Sequence, residues 1–263
     1  FVCYGPLVSM AHGVPVLVET KAEHEFRLTP GELRAAITPR TKAVVLPFPC
    51  NPTGGVMGRG DLEALASVLR GTGVMVVSDE IYAELTYGGR HVSMANLPDM
   101  YERTVVVNGF SKAYSMTGWR LGYVCGPKPL ISAMTKLHQY GIMSAPTTSQ
   151  YAAIEALEHG DGDIDAMREE YDGRRRFLVD GFRKLGLSCF EPLGAFYTFP
   201  CIKSTGLTSE QFADRFLKEQ KVAVIPGHAF GPGGEGYVRA CYAASMHDLA
   251  EALSRLERFL KTL

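Results

Sequence analysis

The sequence has 263 residues, of which 46% are hydrophobic and 21% charged, and its formal net charge is −1. This composition is typical of a globular enzyme with a sizeable core. A charge so close to zero gives no reason to expect nucleic acid or an anionic membrane as a partner. In addition, no apolar run approaches the roughly 20 residues that span a bilayer.

Cysteine and histidine spacing argues against a metal centre built by the protein. The six cysteines are scattered without a CxxC pair, and the seven histidines form neither HxxxH nor HExxH. No basic segment followed by an apolar stretch opens the sequence, so no signal peptide is predicted. We therefore expect a cytoplasmic protein with reduced thiols and no metal ligands.

The first half of the sequence alternates valine-rich runs with helical patterns. Strands are predicted at residues 14–19, 43–47, 74–78, 104–108 and 121–125. Helices are predicted at residues 30–37, at 61–70 and in the region after Ile81. The strands lack a clean polar alternation, which indicates burial on both faces. This order predicts an α/β fold with a mostly parallel central sheet flanked by helices.

From residue 127 to about 185 the pattern is helical, and residues 163–184 are predicted to form one long exposed helix. The basic run Arg174–Arg176 is interpreted as a solvated face of that helix. Short strands follow at 195–199, 222–225 and 237–241, before a closing helix with leucines at helical spacing. We interpret residues 1–172 as a large cofactor-binding domain and 173–263 as a smaller C-terminal α+β domain.

The strongest chemical signal is the stretch from Gly109 to Gly122, which contains Lys112 and Arg120. Lys112 follows an apolar strand, so it is expected at the carboxyl edge of the sheet, where α/β proteins bind ligands. Arg120 lies in a glycine-flanked turn, where a guanidinium can grip a phosphate with two hydrogen bonds. The alternative is a surface lysine and an arginine that caps a helix.

Asp79 and Tyr82 form a second candidate pair. Asp79 ends the apolar run 74–78, and Tyr82 follows three residues later on the same side of a helical turn. A buried carboxylate there can face a cationic ring nitrogen, and the phenol can donate to a phenolate oxygen. A salt bridge or a helix cap is the plainer explanation of Asp79.

Two further residues complete the candidate set. Asn51 lies in an Asn-Pro-Thr-Gly segment after a strand, where its amide can donate to a cofactor oxygen and to a substrate carboxylate. The segment can equally be only a turn. Arg239 lies in a late strand, where on its own it would be a structural residue.

Taken together and in this order, these motifs resemble the class I/II aminotransferases of pyridoxal-phosphate (PLP) fold type I, over essentially the whole chain. The resemblance implies that Lys112 attaches PLP covalently and that Asp79 pairs with its ring nitrogen. It also implies that Tyr82 and Asn51 bind the phenolic oxygen and that Arg120 binds the phosphate. Arg239 would bind the substrate α-carboxylate, and the ring of Phe1 would stack on the cofactor.

The sequence departs from the family in one position and is shorter than its relatives. Many relatives have a serine three residues before the lysine that helps to bind the phosphate, whereas this chain has Gly109. Ser111 is the neighbouring hydroxyl that can replace it. Relatives carry further residues before the position of Phe1, so we expect an N-terminally truncated chain. The resemblance also implies a homodimer with active sites at its interface.

The predicted reaction is transamination between an L-amino acid and a 2-oxo acid with ping-pong kinetics. The same fold hosts other PLP reactions, such as β-elimination or decarboxylation, because a fold does not fix a reaction. A further alternative is a non-catalytic PLP-binding sensor domain of a transcription regulator. The sensor would require an upstream DNA-binding module, and its attachment site usually lacks the run Thr117–Arg120.

Overall fold

A computed structural model describes all 263 residues and contains nine α-helices and seven β-strands. The helices are α1 (Tyr4–Met10), α2 (Pro30–Ala36), α3 (Arg59–Leu69), α4 (Phe110–Ala113), α5 (Lys128–Gly141), α6 (Thr147–His159), α7 (Asp161–Lys184), α8 (Ser209–Gln220) and α9 (Met246–Leu260). The strands are β1 (Ala43–Pro47), β2 (Met75–Asp79), β3 (Thr104–Gly109), β4 (Gly122–Cys125), β5 (Tyr197–Thr198), β6 (Ile225–Pro226) and β7 (Val238–Cys241).

The chain divides into two compact units, each assembled from separate segments. One unit comprises residues 1–28, 50–55 and 169–263, and the other comprises residues 29–49 and 56–168. The predicted domains 1–172 and 173–263 stay a prediction. None of the helices is both long and apolar enough to cross a membrane.

The unit of residues 29–49 and 56–168 contains a four-stranded sheet in the order β1-β2-β3-β4. The strands β1, β2 and β3 are parallel, and β4 runs antiparallel to β3. This topology confirms the predicted α/β class, and four of the five strands predicted in the first half form. Leu65, Leu69 and Val76 are fully buried, so α3 and β2 contribute to the core beneath the sheet.

The predicted strand at residues 14–19 is wrong. This segment forms no strand, and Val14 and Leu17 expose 84% and 72% of their surface. A strand requires a neighbour to satisfy its backbone hydrogen bonds, and valine content alone supplies none. The composition of this segment is therefore typical of a strand, although no neighbouring strand pairs with it.

The helix predicted after Ile81 is also wrong, because residues 81–84 form turns. Hydrogen bonds between residues three apart replace the helical pattern there. The backbone N–H of Ala83 donates to the Glu80 carbonyl, and that of Leu85 donates to the Tyr82 carbonyl. The remaining helices confirm the pattern. The predicted long helix is α7, which starts two residues earlier, at Asp161.

In the other unit, β7 lies between β5 and β6 in an antiparallel sheet. The predicted strand at 195–199 is reduced to Tyr197–Thr198, and the one predicted at 222–225 overlaps β6 only at Ile225. Aromatic rings of α8 and α9 pack together, with the centroids of Phe212 and Phe216 each 5.3 Å from that of Phe259. This ring cluster joins the two helices.

The basic run in α7 is only partly a solvated face. Arg176 is exposed, but the side chain of Arg175 is buried and forms ion pairs with Asp172 and Glu191. Burial lowers the pKa of the Arg175 guanidinium, but hydrogen bonds to these two carboxylates outweigh burial and raise it. Arg175 is therefore a charged structural residue, held in place by two acids.

Candidate active site

Lys112 lies where the sequence predicts it. The strand β3 ends at Gly109, and the single turn of α4 follows at once, so Lys112 projects just beyond the carboxyl end of β3. Its neighbours Phe110 and Ala113 are buried and fix this turn against the core. The Nζ atom of Lys112 lies 6.0 Å from the centroid of the Tyr82 ring.

Asp79 occupies the equivalent place on the adjacent strand. It is the last residue of β2 and stands in register with Val107 of β3. The backbone N–H of Ile81 donates to its Oδ1 atom at 3.2 Å, which orients the carboxylate. Tyr82 follows in the turn and is 5% exposed. The structure therefore brings Asp79, Tyr82 and Lys112 to one edge of the parallel strands.

Arg120 is connected to Lys112 through a short chain of hydrogen bonds. The Thr117 hydroxyl donates to the Ser111 carbonyl at 2.8 Å, and Nη1 of Arg120 donates to the Thr117 carbonyl at 2.8 Å. Arg120 has a φ of 56°, in the left-handed region that non-glycine residues rarely adopt. Such conformations persist where the surroundings impose them, often at binding sites. Ser111 and Arg120 thus belong to one ordered loop beside the lysine.

Packing leaves no room for a side chain at Gly109. Gly109 of β3 pairs with Gly122 of β4, and the two backbones approach closely. A Cβ atom on Gly109 would lie 2.8 Å from the Gly122 Cα atom and 3.0 Å from the Leu121 carbonyl oxygen. The position leaves no room for a side chain, and the binding of a phosphate by Ser111 and Arg120 stays a prediction.

Glu80 is a buried acid beside Asp79 that the sequence reasoning missed. Its Oε1 atom accepts hydrogen bonds from the Ser78 hydroxyl at 2.9 Å and the Ser93 hydroxyl at 2.7 Å. The His91 Nε2 atom lies 3.1 Å from its Oε2 atom. Burial favours a higher pKa for Glu80, but the close approach of His91 and hydrogen bonds from the Ser93 and Ser78 hydroxyls lower the pKa below its ordinary value. The acid is therefore held as an ionised anchor.

The fixed position of the Glu80 side chain also determines the side of the strand on which Asp79 lies. Successive side chains of an extended chain point to opposite sides. With Ser78 and Glu80 held on one side of the β2 end, Asp79 is presented on the other. The adjacent Asp79-Glu80 pair was the only signal of this arrangement in the sequence.

The second group of candidate residues lies in the unit that contains β7. Nη1 of Arg239 donates to Oδ1 of Asn51 at 2.8 Å, across 188 positions of sequence. Because the guanidinium can only donate, it fixes the Asn51 amide with its oxygen toward Arg239 and its NH₂ group directed away. The two predicted substrate-binding residues are therefore in direct contact, and their role in binding substrate stays a prediction.

The Asn51 turn is held by close packing around Gly54. Gly54 has a φ of 72°, and its N–H donates to the Cys50 carbonyl at 2.8 Å. A Cβ atom there would lie 2.3 Å from the Pro192 Cβ atom and 2.9 Å from the Gly194 carbonyl oxygen. Glycine is thus required both by conformation and by space, and the turn that carries Asn51 is rigid.

Phe1 and the surroundings of Arg239 add two observations. Phe1 is 53% exposed at the start of the chain, and its predicted stacking on a cofactor stays a prediction. The rings of Tyr197 and Phe230 lie close to the Arg239 guanidinium, and neither was among the candidates. Strand pairing brings Tyr197 next to β7, a placement that no local motif signals.

Comparison with known proteins agrees with this geometry. The family model described as "Aminotransferase class I and II" matches residues 1–256. The aspartate aminotransferase of Pyrococcus abyssi is 47% identical over 264 residues, covering 99% of this chain and 68% of its own length.

Two solved structures superpose closely. An aromatic aminotransferase of Pyrococcus horikoshii matches with a TM-score of 0.97 and 47% identity, covering all of this chain and 71% of its own. The aspartate aminotransferase of Thermus thermophilus with maleate matches with a TM-score of 0.93 and 42% identity, covering 98% of this chain and 67% of its own.

Proposed function

The chain belongs to the aminotransferase class I and II family, and from that premise we propose that Lys112 holds PLP while the protein moves an amino group from an L-amino acid to a 2-oxo acid. The observation that carries this proposal is the placement of Lys112, Asp79 and Tyr82 at one edge of the parallel sheet. Fold alone would not be sufficient, because one fold hosts several reactions.

The chemistry of the side chains at this edge suits each part of PLP. The Lys112 amine suits the aldehyde, and the Asp79 carboxylate, oriented by the Ile81 N–H, suits a protonated ring nitrogen. The Tyr82 phenol suits the phenolic oxygen, and Arg120 with Ser111 suits the phosphate. Bound PLP supplies an aldehyde that bonds to amines and a ring that withdraws electrons from the substrate α-carbon.

The protein residues provide positioning and proton transfer. Asp79 keeps the proton on the ring nitrogen by placing a negative charge opposite it. With PLP bound, the Nζ atom of Lys112 would accept the proton from the substrate α-carbon. Lys112 would have to be neutral for this step, because only an uncharged amine can accept a proton.

Asn51 and Arg239 provide the substrate contact. The Arg239 guanidinium binds the α-carboxylate, and the outward NH₂ group of Asn51 supplies a further donor. All amino acids share this carboxylate, so the pair defines the class of substrate rather than its side chain. Relatives named as aspartate and aromatic aminotransferases make aspartate and phenylalanine the first substrates to assay.

The test uses absorbance and covalent trapping. Protein mixed with PLP should show visible absorption of the bound cofactor, and borohydride should fix PLP on the peptide that contains Lys112. Lys112→Ala should lose both signals, whereas Lys128→Ala, which removes an exposed lysine of α5, should keep them. Trapping on another lysine, or a folded wild type that leaves PLP free, would refute the proposal.

Product analysis tests the reaction class. Transamination predicts a 2-oxo acid product formed in equal amount to the newly made amino acid. Release of pyruvate with ammonia from cysteine-type substrates would instead indicate β-elimination. Initial-rate patterns with both substrates should be parallel, as ping-pong kinetics require.

Two broader proposals concern the setting of the enzyme. All six cysteines are free thiols, which supports a reducing compartment such as the cytoplasm. Exposed apolar side chains of α5 and α6, among them Leu137, Tyr140 and Ile154, support a homodimer. Light scattering of the purified protein should give twice the chain mass, and a monomer would refute this part.

A further inference from the structure

We propose that Phe230 and Tyr197 are positioning residues for the substrate carboxylate, because together they hold the guanidinium plane of Arg239. The inference rests on the proposed function, since it takes Arg239 as the group that binds the carboxylate. We call Phe230 and Tyr197 the aromatic pair.

The aromatic pair contacts Arg239 from a neighbouring strand and from a turn. The guanidinium carbon lies 4.3 Å from the centroid of the Tyr197 ring and 5.0 Å from that of Phe230. Both distances fall within the range of about 6 Å in which a cation is attracted to an aromatic face. Tyr197 belongs to β5, which pairs with β7, whereas Phe230 lies in the turn Gly227–Phe230 that follows β6.

Strand register places Tyr197 beside Arg239. Tyr197 pairs with Cys241, which lies two positions after Arg239 on β7. Residues two apart project from the same face of a strand, so Tyr197 and Arg239 are diagonal neighbours. Tyr197 is itself buried, which leaves its ring little freedom to move away.

Phe230 is fixed by the turn that carries it, which spans Gly227–Phe230. Ser209, at the start of α8, donates its backbone N–H and its hydroxyl to the Glu235 carboxylate at 2.8 and 2.7 Å. The Ser209 oxygen also lies 2.9 Å from the His228 Nδ1 atom, within the turn. A Cβ atom on Gly227 would lie 2.0 Å from the Gly234 carbonyl oxygen, so the neighbouring turns pack backbone to backbone.

The polar contacts of Arg239 leave its charge for an incoming ligand. Its side-chain hydrogen bond goes to the neutral amide of Asn51 rather than to a carboxylate. The Nε atom is buried and has no hydrogen-bond partner. The aromatic faces therefore stabilise the cation without occupying the N–H groups at its edge.

This arrangement has a specific consequence for binding. A carboxylate binds arginine best in the plane of the guanidinium, through two parallel hydrogen bonds. Rings that hold this plane reduce the side-chain freedom lost when the ligand arrives. Removing one aromatic face should therefore weaken binding of the carboxylate while leaving the chemistry at Lys112 unchanged.

The variants Phe230→Leu and Phe230→Tyr test this reasoning in the PLP-loaded protein. Phe230→Leu keeps an apolar side chain but removes the face, so KM for the amino acid should rise about 3- to 10-fold with kcat nearly unchanged. Phe230→Tyr retains the face and should keep the wild-type KM. Affinity for PLP should be the same in all three proteins.

Phe216→Leu is the matched control, because Phe216 is a buried aromatic residue that packs on Phe212 and Phe259. It should lower the melting temperature without changing KM. An unchanged KM in Phe230→Leu, or an equal rise in Phe216→Leu, would overturn the proposal.

A second measurement does not depend on turnover. Ring currents from the aromatic pair should shift the Hε resonance of Arg239, assigned by its loss in Arg239→Lys, away from those of exposed arginines. In Phe230→Leu this shift should diminish. An Arg239 resonance at the exposed position in wild type would refute the inference even in an active enzyme. A shifted resonance in a protein that does not transaminate would instead refute the proposed function.

Discussion

Replacing Gly109 by serine tests whether the close approach of β3 and β4 excludes a side chain at this position. The added Cβ atom would meet backbone at 2.8 and 3.0 Å, whereas carbon atoms in contact lie about 3.5–4.0 Å apart. The strands would have to separate by several tenths of an ångström. Overpacking of this kind costs about 1–3 kcal/mol, with backbone shifts.

The assay combines thermal unfolding with PLP titration. A loss of about 1–3 kcal/mol corresponds to a decrease in melting temperature of about 2–12 °C for a protein of this size. Gly73→Ser is the control, because a Cβ atom there has nothing within 4 Å, and it should melt close to wild type. If Gly109→Ser melted like the control and bound PLP more tightly than wild type, the packing argument would be wrong.

Two further predictions follow from shifted pKa values. Because the pKa of Glu80 is lowered in the folded state, its ionised form contributes stability at neutral pH that is lost as the pH falls through that pKa. Glu80→Gln should therefore be less stable than wild type in urea at neutral pH, with a smaller difference below pH of about 4. The exposed Glu84→Gln is the control, and its stability difference from wild type should not depend on pH. A pH-independent difference for Glu80→Gln would contradict this reasoning. Burial raises the pKa of the Cys189 thiol to about 12. Alkylation at pH of about 8 should therefore modify the exposed Cys125 and Cys241 before Cys189. Equal alkylation rates of the three cysteines, measured by peptide mass spectrometry, would refute this prediction.

The sequence predicts the sheet well where strands have partners. Ala43–Pro47 and Thr104–Gly109 form because both belong to a continuous ladder, although Ala43–Pro47 is mostly only partly buried and does not show the expected burial on both faces. Residues 14–19 have the same composition but no ladder, and composition cannot report whether a neighbour exists. The turn after Ile81 was mistaken for a helix because its apolar spacing is compatible with both.

The candidate site shows a similar division. Lys112, Asp79 and Arg120 are recognisable because each follows a strand or lies in a glycine-flanked turn, which are local features. Tyr197 and Phe230 are not, because their contact with Arg239 depends on the pairing of β5, β6 and β7. The exclusion of a side chain at Gly109 likewise required the position of Gly122 on another strand.

The exposed strand β4 has a consequence for the order in which the sheet opens. It is bonded on one side only and all four of its residues are exposed, so its amides should exchange with solvent before those of β2 and β3. Its first residue, Gly122, follows Arg120 by two positions. Each local opening of this edge would therefore release the loop that carries Arg120.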